Sequence, residues 1–292
     1  MTGFITVTYF YQSTFAVAVG KTLLVFSYHE NNQENKAGIP ITDQDFSGFN
    51  NILVFIPMAS AVHMDEVVFS WKPSFPITYI ASQDLKGKVP ERSNIRFVQE
   101  GDSFSVADAA IRVCGATDEG VSFLVKTHGV SVYHAGDLNL WHWREQSSPQ
   151  VIAKAEQTFY ETVERIPHEP LDVCMFPLDP NQGGYYDAGA NHIIMTLKPR
   201  VFFPMHFGNR SEIAQDYARR MHSRRTNVTA LTTPRETAQI DLSRNPPVVL
   251  QMTGESQQGE LPDKLVSLST YLEDNPFAET DLPVNLQEEP RE

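Results

Sequence analysis

The chain has 292 residues, of which 41% are hydrophobic and 20% charged, a composition typical of a folded globular protein with room for one large domain or two small ones. Its formal net charge of −13 argues against binding to nucleic acid. No apolar run approaches the roughly 20 residues of a membrane-spanning helix, and the first residues lack the basic stretch of a signal peptide. We therefore expect no membrane partner and a cytoplasmic location.

The first part of the chain predicts short strands. Residues 5–10, 15–19 and 22–26 alternate in the manner of strands, and the last two are joined by a tight turn at Gly20. A polar stretch over residues 28–50 predicts a long loop. The apolar run at 51–56 then predicts a strand that is buried on both faces.

The middle of the chain continues with strand patterns. Five of them fall at residues 77–81, 94–98, 104–109, 111–114 and 121–126. The next strand, at 130–133, is followed by His134, a short Ala-Gly turn and Asp137. Loops at strand ends are where a rigid scaffold usually presents its chemistry. The alternative is a His–Asp hydrogen bond that only shapes the loop.

The second half interleaves helices with strands. Ser148 as the N-cap and Pro149 at the first position begin a helix that is predicted to end near Ile166. Further helices are expected at 190–197 and 211–221, and further strands at 171–178, 201–204, 228–231 and 237–242. The pattern predicts a mixed α/β or α+β body with two sheets and helices outside. Cys114 and Cys174 lie in apolar strand patterns and are predicted to be reduced core thiols.

The end of the chain differs from the rest. We predict a folded domain over residues 1–253 and an acidic, proline-containing tail over 254–292. Residues 260–292 hold nine acidic and two basic side chains. Leu261, Leu265, Leu268 and Leu272 could form one stripe of a short helix that packs on the domain or binds a protein partner.

Four polar side chains lie in loops that follow three separate strands of the predicted domain. They are His63, His134, Asp137 and His206. Imidazoles and a carboxylate that come from several strand ends indicate a metal site. His206 lies in the run Phe203-Pro-Met-His-Phe207, directly after a predicted strand.

This order of residues resembles the metallo-β-lactamase-fold hydrolases. The resemblance covers roughly residues 4–250 and is closest to a bacterial branch with a G-D-L-N-x-W-H-W loop, here Gly136 to Trp143. Phe176-Pro-Leu-Asp-Pro180 is also similar to that branch. The resemblance implies an αββα sandwich of two mixed sheets that are flanked by helices. It also implies metals at one edge between the sheets, held by an H-x-H-x-D-H loop, a later histidine, a bridging aspartate and a final histidine.

Four of these family positions match this sequence. The resemblance places the last histidine of the loop at His63, the later histidine at His134, the bridging carboxylate at Asp137 and the final histidine at His206. Asp137 is also the candidate catalytic residue.

Four other positions depart from the family pattern. The first two histidines of the loop fall on Met58 and Ser60, and its aspartate falls on Val62. Ser27 stands where the family usually carries an aspartate that orients ligands. Thioether and hydroxyl groups are poor zinc ligands, so we expect no metal at the first position. His63, Asp137 and His206 could still hold one zinc, manganese or iron ion at the second, so we predict either no cofactor or one divalent ion.

Three hypotheses for function follow. The first is a non-catalytic descendant whose dinuclear site is eroded, with Met58 and Val62 filling the vacated volume. The second is a single-metal hydrolase that activates water on a small-molecule ester, lactone or phosphodiester. The third is an interaction protein that acts through the acidic tail. Trp141, His142 and Trp143 either line a pocket for a small-molecule ligand or pack the loop.

Overall fold

The computed structural model describes residues 3–29, 40–60, 64–117, 120–221 and 225–252. Internal contacts divide the chain into a unit over Met1–Gly259 and a second over Glu260–Glu292. The tail predicted over residues 254–292, with its leucine stripe, lies outside the described residues, as do Val62 and His63.

The described strands form two mixed sheets. In spatial order, the eight-stranded sheet consists of β15 (Val248–Met252), β14 (Thr237–Asp241), β1 (Phe4–Tyr11), β2 (Thr14–Val19), β3 (Thr22–Phe26), β4 (Asn51–Ile56), β5 (Ile77–Ser82) and β6 (Ile95–Val98). The seven-stranded sheet consists of β13 (Asn227–Val228), β12 (Val201–Met205), β11 (Val173–Pro177), β10 (Val130–His134), β9 (Val121–Thr127), β8 (Ala109–Gly115) and β7 (Ser103–Val106).

The two sheets pack face to face through aromatic side chains. Phe55 on β4 lies 5.0 Å from Phe123 on β9 between ring centroids, and Phe15 on β2 lies 6.1 Å from Phe203 on β12. These four rings are fully buried. Burial of the apolar faces of both sheets is the main favourable term in such a sandwich.

The longer helices cover the outer face of the seven-stranded sheet. They are α2 (Pro149–Glu164), α3 (Ala188–Leu197) and α4 (Ser211–Met221), while α1 (Asp43–Phe46) is a single turn. Phe159 on α2 contacts Phe176 on β11, and Tyr217 on α4 contacts Phe202 on β12. Short 3-10 helices lie at Glu66–Ser70, Gln83–Leu85 and Pro180–Tyr185. The predicted two-sheet α/β architecture is therefore confirmed.

Most of the predicted elements are found, with four differences. The strand expected at 104–109 is interrupted at Ala107, whose φ of 50° turns the chain between β7 and β8. The strand expected at 228–231 is reduced to β13. Both α1 and β15 were missed, because α1 is only four residues long and β15 follows a Pro-Pro pair that usually marks a loop.

The structure also describes the two cysteines and the character of the helices. Cys114 and Cys174 are buried and unpaired with each other, which confirms them as free core thiols. Among the described helices, none has both the length and the apolar character that a membrane crossing requires.

The topology brings several strand ends to one edge of the sandwich. β3 and β4 run parallel in one sheet, and β10, β11 and β12 run parallel in the other. The rings of Phe26, at the end of β3, and His134, at the end of β10, stack with centroids 4.9 Å apart. The carboxyl ends of both sets of strands therefore meet there, together with the turn that joins β1 to β2.

Candidate functional site

His134 is the most deeply buried of the candidate ligands that the structure describes. Its side chain is fully buried between the sheets, and its ring lies nearly parallel to that of Phe26, with 3° between the planes. The Nε2 atom lies 2.8 Å from the carbonyl oxygen of Ser13. The backbone N–H of Gly136 points at Nδ1 from 3.1 Å.

These two contacts fix the tautomer of the His134 ring. An N–H donates to Nδ1, so Nδ1 must carry the lone pair. A carbonyl oxygen can only accept, so Nε2 must carry the hydrogen and donate it to Ser13. In this arrangement both ring nitrogens of His134 are engaged in hydrogen bonds within the protein.

The turn after His134 requires glycine at its centre. Gly136 has a φ of 57°, and a Cβ atom there would lie 2.5 Å from the carbonyl oxygen of Val121 and 3.0 Å from Pro57. Any side chain would therefore collide with backbone. Asp137 follows in a half-buried position, and its carbonyl oxygen accepts a hydrogen bond from Trp141 Nε1 at 2.9 Å.

His206 lies at the end of β12 on the same edge. Its backbone has a φ of 62°, and its N–H donates to the carbonyl oxygen of Gln12 at 3.1 Å. The Nδ1 atom lies 3.8 Å from a carboxylate oxygen of Asp179, which is buried after β11. The ring of Trp141 packs edge-on against the His206 ring, with centroids 5.8 Å apart.

The positions that depart from the family pattern lie at the ends of β3 and β4. Met58 is only 7% exposed and packs so closely against Gly120 that a Cβ on that glycine would lie 2.6 Å from the Met58 Cβ. Ser60 is half-buried. Ser27 is fully buried with a φ of 51°, and its carbonyl oxygen accepts a hydrogen bond from Thr14 Oγ1 at 2.7 Å. Val62 and His63 lie outside the described residues.

The aromatic loop residues take different environments. Trp141 is half-buried and stacks on Trp143, with centroids 5.6 Å apart, while Trp143 is 39% exposed. His142 is buried and meets the ring of Tyr185 edge-on. Burial, and to a smaller extent the charge of Arg144, lowers the pKa of His142. Trp141 therefore packs the loop, while Trp143 presents a ring to solvent.

Three residues that contact the candidate ligands were not predicted as part of the site. Gln12 and Ser13 contribute only backbone carbonyls, which the side-chain pattern does not reveal. Asp179 could have been found, because it follows a buried strand in the same manner as His206 follows its own.

The donor set does not fit a metal at the first position. In the tautomer that these two hydrogen bonds require, both ring nitrogens of His134 are engaged, and the family resemblance places Met58 and Ser60 at the other two ligand positions. Within the part of the chain that the structure describes, no group of three or more His, Cys, Asp or Glu side chains has a geometry that could hold an ion. A second-position ion would depend on His63, beside Asp137 and His206.

Comparisons with known proteins agree with this architecture. The structure is similar to Igni18, a metallo hydrolase from Ignicoccus hospitalis, with a TM-score of 0.57 and 19% identity over 81% of this chain and 98% of that chain. It is also similar to the metallo-β-lactamase fold protein YhfI from Bacillus subtilis, with a TM-score of 0.51 and 9% identity over 85% of this chain and 99% of that one. At these identities the likeness defines the fold.

A shorter similarity is seen in sequence. The chain is 31% identical over 97 residues to a UPF0173 metal-dependent hydrolase of Pyrococcus furiosus and 29% identical over 97 residues to one of Thermococcus kodakarensis. Each match spans 32% of this chain, and the chain covers only 34% of the length of each relative. No protein-family model matches the chain.

Two statements follow about the class of protein. The chain has the metallo-β-lactamase fold, with two mixed sheets packed face to face and its candidate site at one edge. In sequence, about a third of its length resembles UPF0173 metal-dependent hydrolases.

Proposed function

We propose that this chain is a metallo-β-lactamase-fold homologue of metal-dependent hydrolases that has no hydrolase activity, or much reduced activity, because its dinuclear centre is eroded. The observation that carries the proposal is the bonding of His134. Both of its ring nitrogens serve hydrogen bonds inside the protein, so the residue acts as a structural link between β10 and the β1–β2 turn.

The chemistry of metal-dependent hydrolysis explains why this bonding matters. A hydrolytic zinc ion needs about three protein ligands and one open position, so that it can lower the pKa of a bound water to near 7. With His134 bonded to Ser13, and with Met58 and Ser60 at ligand positions, the first metal position retains only Asp137. One carboxylate is not enough to hold an ion and activate water.

One observation favours the single-metal hydrolase as a second candidate. The His206 ring has its Nδ1 atom 3.8 Å from Asp179, within ion-pair distance although longer than a hydrogen bond. A carboxylate beside one imidazole nitrogen commonly orients the other nitrogen toward a metal. His63, Asp137 and His206 would be the ligands of that ion. Its hydrolytic role would still lack the aspartate that the family carries where this chain has Val62.

Elemental analysis separates the two candidates. We expect the full chain, purified without chelator, to hold well below one equivalent of zinc, manganese or iron. It should also show no metal-dependent turnover of ester, lactone or phosphodiester substrates when each ion is added back. The matched control is His206→Asn, which should change neither result.

The single-metal hydrolase makes the opposite prediction for the same two proteins. About one equivalent in the parent chain, lost in His206→Asn together with hydrolysis, would establish that hydrolase and remove the proposal of an eroded site.

A further inference from the structure

The turn between β1 and β2 forms hydrogen bonds with the ends of β10 and β12, the two strands of the seven-stranded sheet that carry His134 and His206. The carbonyl oxygen of Gln12 accepts the backbone N–H of His206 at 3.1 Å, and the carbonyl oxygen of Ser13 lies 2.8 Å from Nε2 of His134. Two consecutive carbonyls of one turn thus hold the ends of β10 and β12. We call these two bonds the carbonyl clamp.

The turn that carries the clamp is itself fixed on the other sheet. Thr14, directly after it, donates through Oγ1 to the carbonyl oxygen of Ser27 at 2.7 Å and accepts the N–H of His29 at 3.1 Å. Gln12 adopts a φ of 53°, which only a tightly held turn imposes on a residue with a side chain. The clamp therefore connects the end of β3 to the ends of β10 and β12.

Aromatic packing closes the space around the clamp. Tyr9 on β1 stacks on Phe207, the residue after His206, with centroids 5.7 Å apart. Phe26 stacks on the ring of His134, and Ser13 is fully buried. The turn lies between the sheets with no freedom to swing outward without breaking these contacts.

We propose that the carbonyl clamp replaces a metal ion as the link between the sheet edges, and that it excludes His134 from metal ligation even when the lost ligands are restored. The inference rests on the proposed function and extends it. Besides the ligands that the chain lacks, one ligand that it retains, His134, is now bonded to the carbonyl oxygen of Ser13. The residues at Met58, Ser60 and Val62 are then sufficient to explain why a metal is lost. Restoring ligands at these three positions would not be sufficient to regain the metal at the first position, because the clamp still holds His134.

The position of the hydrogen on the His134 ring gives the physical reason. Ligation through Nε2 would require its hydrogen to move to Nδ1, where the Gly136 N–H already points. Both hydrogen bonds would be lost together, and the Ser13 carbonyl and the Gly136 N–H would remain buried without their present partner. Ligation through Nδ1 would displace Gly136, whose backbone packs against Val121 and Pro57.

The test restores the missing ligands in the full chain with Met58→His, Ser60→His and Val62→Asp. We expect this variant, titrated with zinc alone, to bind at most one equivalent, with the carboxylate introduced by Val62→Asp completing the second position. We also expect the nitrogen-15 spectrum of its histidines to keep His134 in the form protonated at Nε2 with and without zinc. Adding His134→Gln to the variant should leave the zinc stoichiometry unchanged.

Three results would overturn the clamp. They are a second equivalent of zinc, a shift of His134 to the form protonated at Nδ1, or loss of zinc on adding His134→Gln. If the triple variant does not fold, the same spectrum of the parent chain decides, because the clamp requires protonation at Nε2 there, with and without zinc. Zinc found in the parent chain while His134 keeps that form would contradict the proposed function and the replacement of the ion by the clamp, but it would leave His134 excluded from metal ligation.

Discussion

The two ends of the sandwich each place a histidine between the sheets, and the two histidines are bonded in different ways. At the candidate-site end, His134 is fully buried and bonds to backbone groups. At the other end, His128 in the β9–β10 turn places Nε2 2.7 Å from a carboxylate oxygen of Asp108, and both side chains are about one-third exposed. Thr22 at the start of β3 also donates to Asp108, at 2.9 Å.

The difference shows what a histidine in this fold can be used for. A partly exposed imidazole beside a carboxylate exchanges its bonds with water at little cost. A buried imidazole cannot, because each of its nitrogens and their backbone partners lose bonding with no water to replace it. We therefore expect His134 to contribute more to stability than the Asp108 cluster.

The largest effect is expected for His134→Phe. Phenylalanine keeps a ring stacked on Phe26 but removes both hydrogen bonds, which leaves the Ser13 carbonyl and the Gly136 N–H without that partner in a buried setting. We expect the free energy of unfolding in urea to fall by roughly 3 kcal/mol, since each such group costs about 1–3 kcal/mol.

A matched variant separates the hydrogen bond from the ring. In His134→Gln the side-chain amide can donate to Ser13, so part of the lost stability should return even though the stack on Phe26 is gone. If His134→Phe proved as stable as the parent chain, the bonds to Ser13 and Gly136 would have no structural value and the contrast between the two ends would disappear.

A smaller effect is expected at the opposite end. Asp108→Asn keeps the shape of the side chain but removes the negative charge that accepts from Thr22 and faces His128. Because the cluster is partly exposed, we expect the free energy of unfolding to fall by about 1 kcal/mol. Thr22→Val, which removes one donor at a buried position, is the comparison variant. A loss in Asp108→Asn that exceeds that of His134→Phe would reverse the order.

The same contrast explains which features the sequence could predict. The strands follow from alternation and apolar runs, and even Asn51–Ile56 is found with its predicted bounds. His134, Asp137 and His206 could be located because each follows such a run.

The partners of these residues could not be predicted in the same way. Ser13 and Gln12 act through carbonyl oxygens that every residue possesses, so their side chains give no signal. The tautomer of His134 depends on a contact between residues 121 positions apart, which only the folded chain creates.

A buried histidine in the loop after β10 should make the stability of the folded chain depend on pH. Burial, aided by the charge of Arg144, lowers the pKa of His142 from 6.5 in the folded chain, so its neutral form is favoured there. The unfolded chain then binds more protons, and stability is lost as the pH falls below about 6.5. We expect the fall in the free energy of unfolding between pH 7 and pH 5 to be smaller in His142→Gln than in the parent chain.

His192 provides the control for this measurement. Burial also lowers its pKa, so His192→Gln should flatten the pH dependence independently, and the two effects should add in the double variant. An unchanged pH dependence in His142→Gln would mean that the pKa of His142 is the same in the folded and the unfolded chain, in conflict with its burial against Tyr185.

The smallest expected effect is that of a chelator on the melting temperature of the parent chain. An ion bound to the folded state alone would stabilise it by about 4 kcal/mol at a thousandfold excess over its dissociation constant, and a chelator would remove that gain. If the Gln12 and Ser13 carbonyls hold the sheet edges in place of an ion, there is no such gain to remove, and EDTA should leave the melting curve unchanged. The triple variant that restores the lost ligands should instead melt at a lower temperature with EDTA than with zinc. A melting temperature of the parent chain that falls with EDTA would show that an ion already joins the sheets at the candidate-site end. That end of the sandwich would then depend on a metal and not on its own hydrogen bonds.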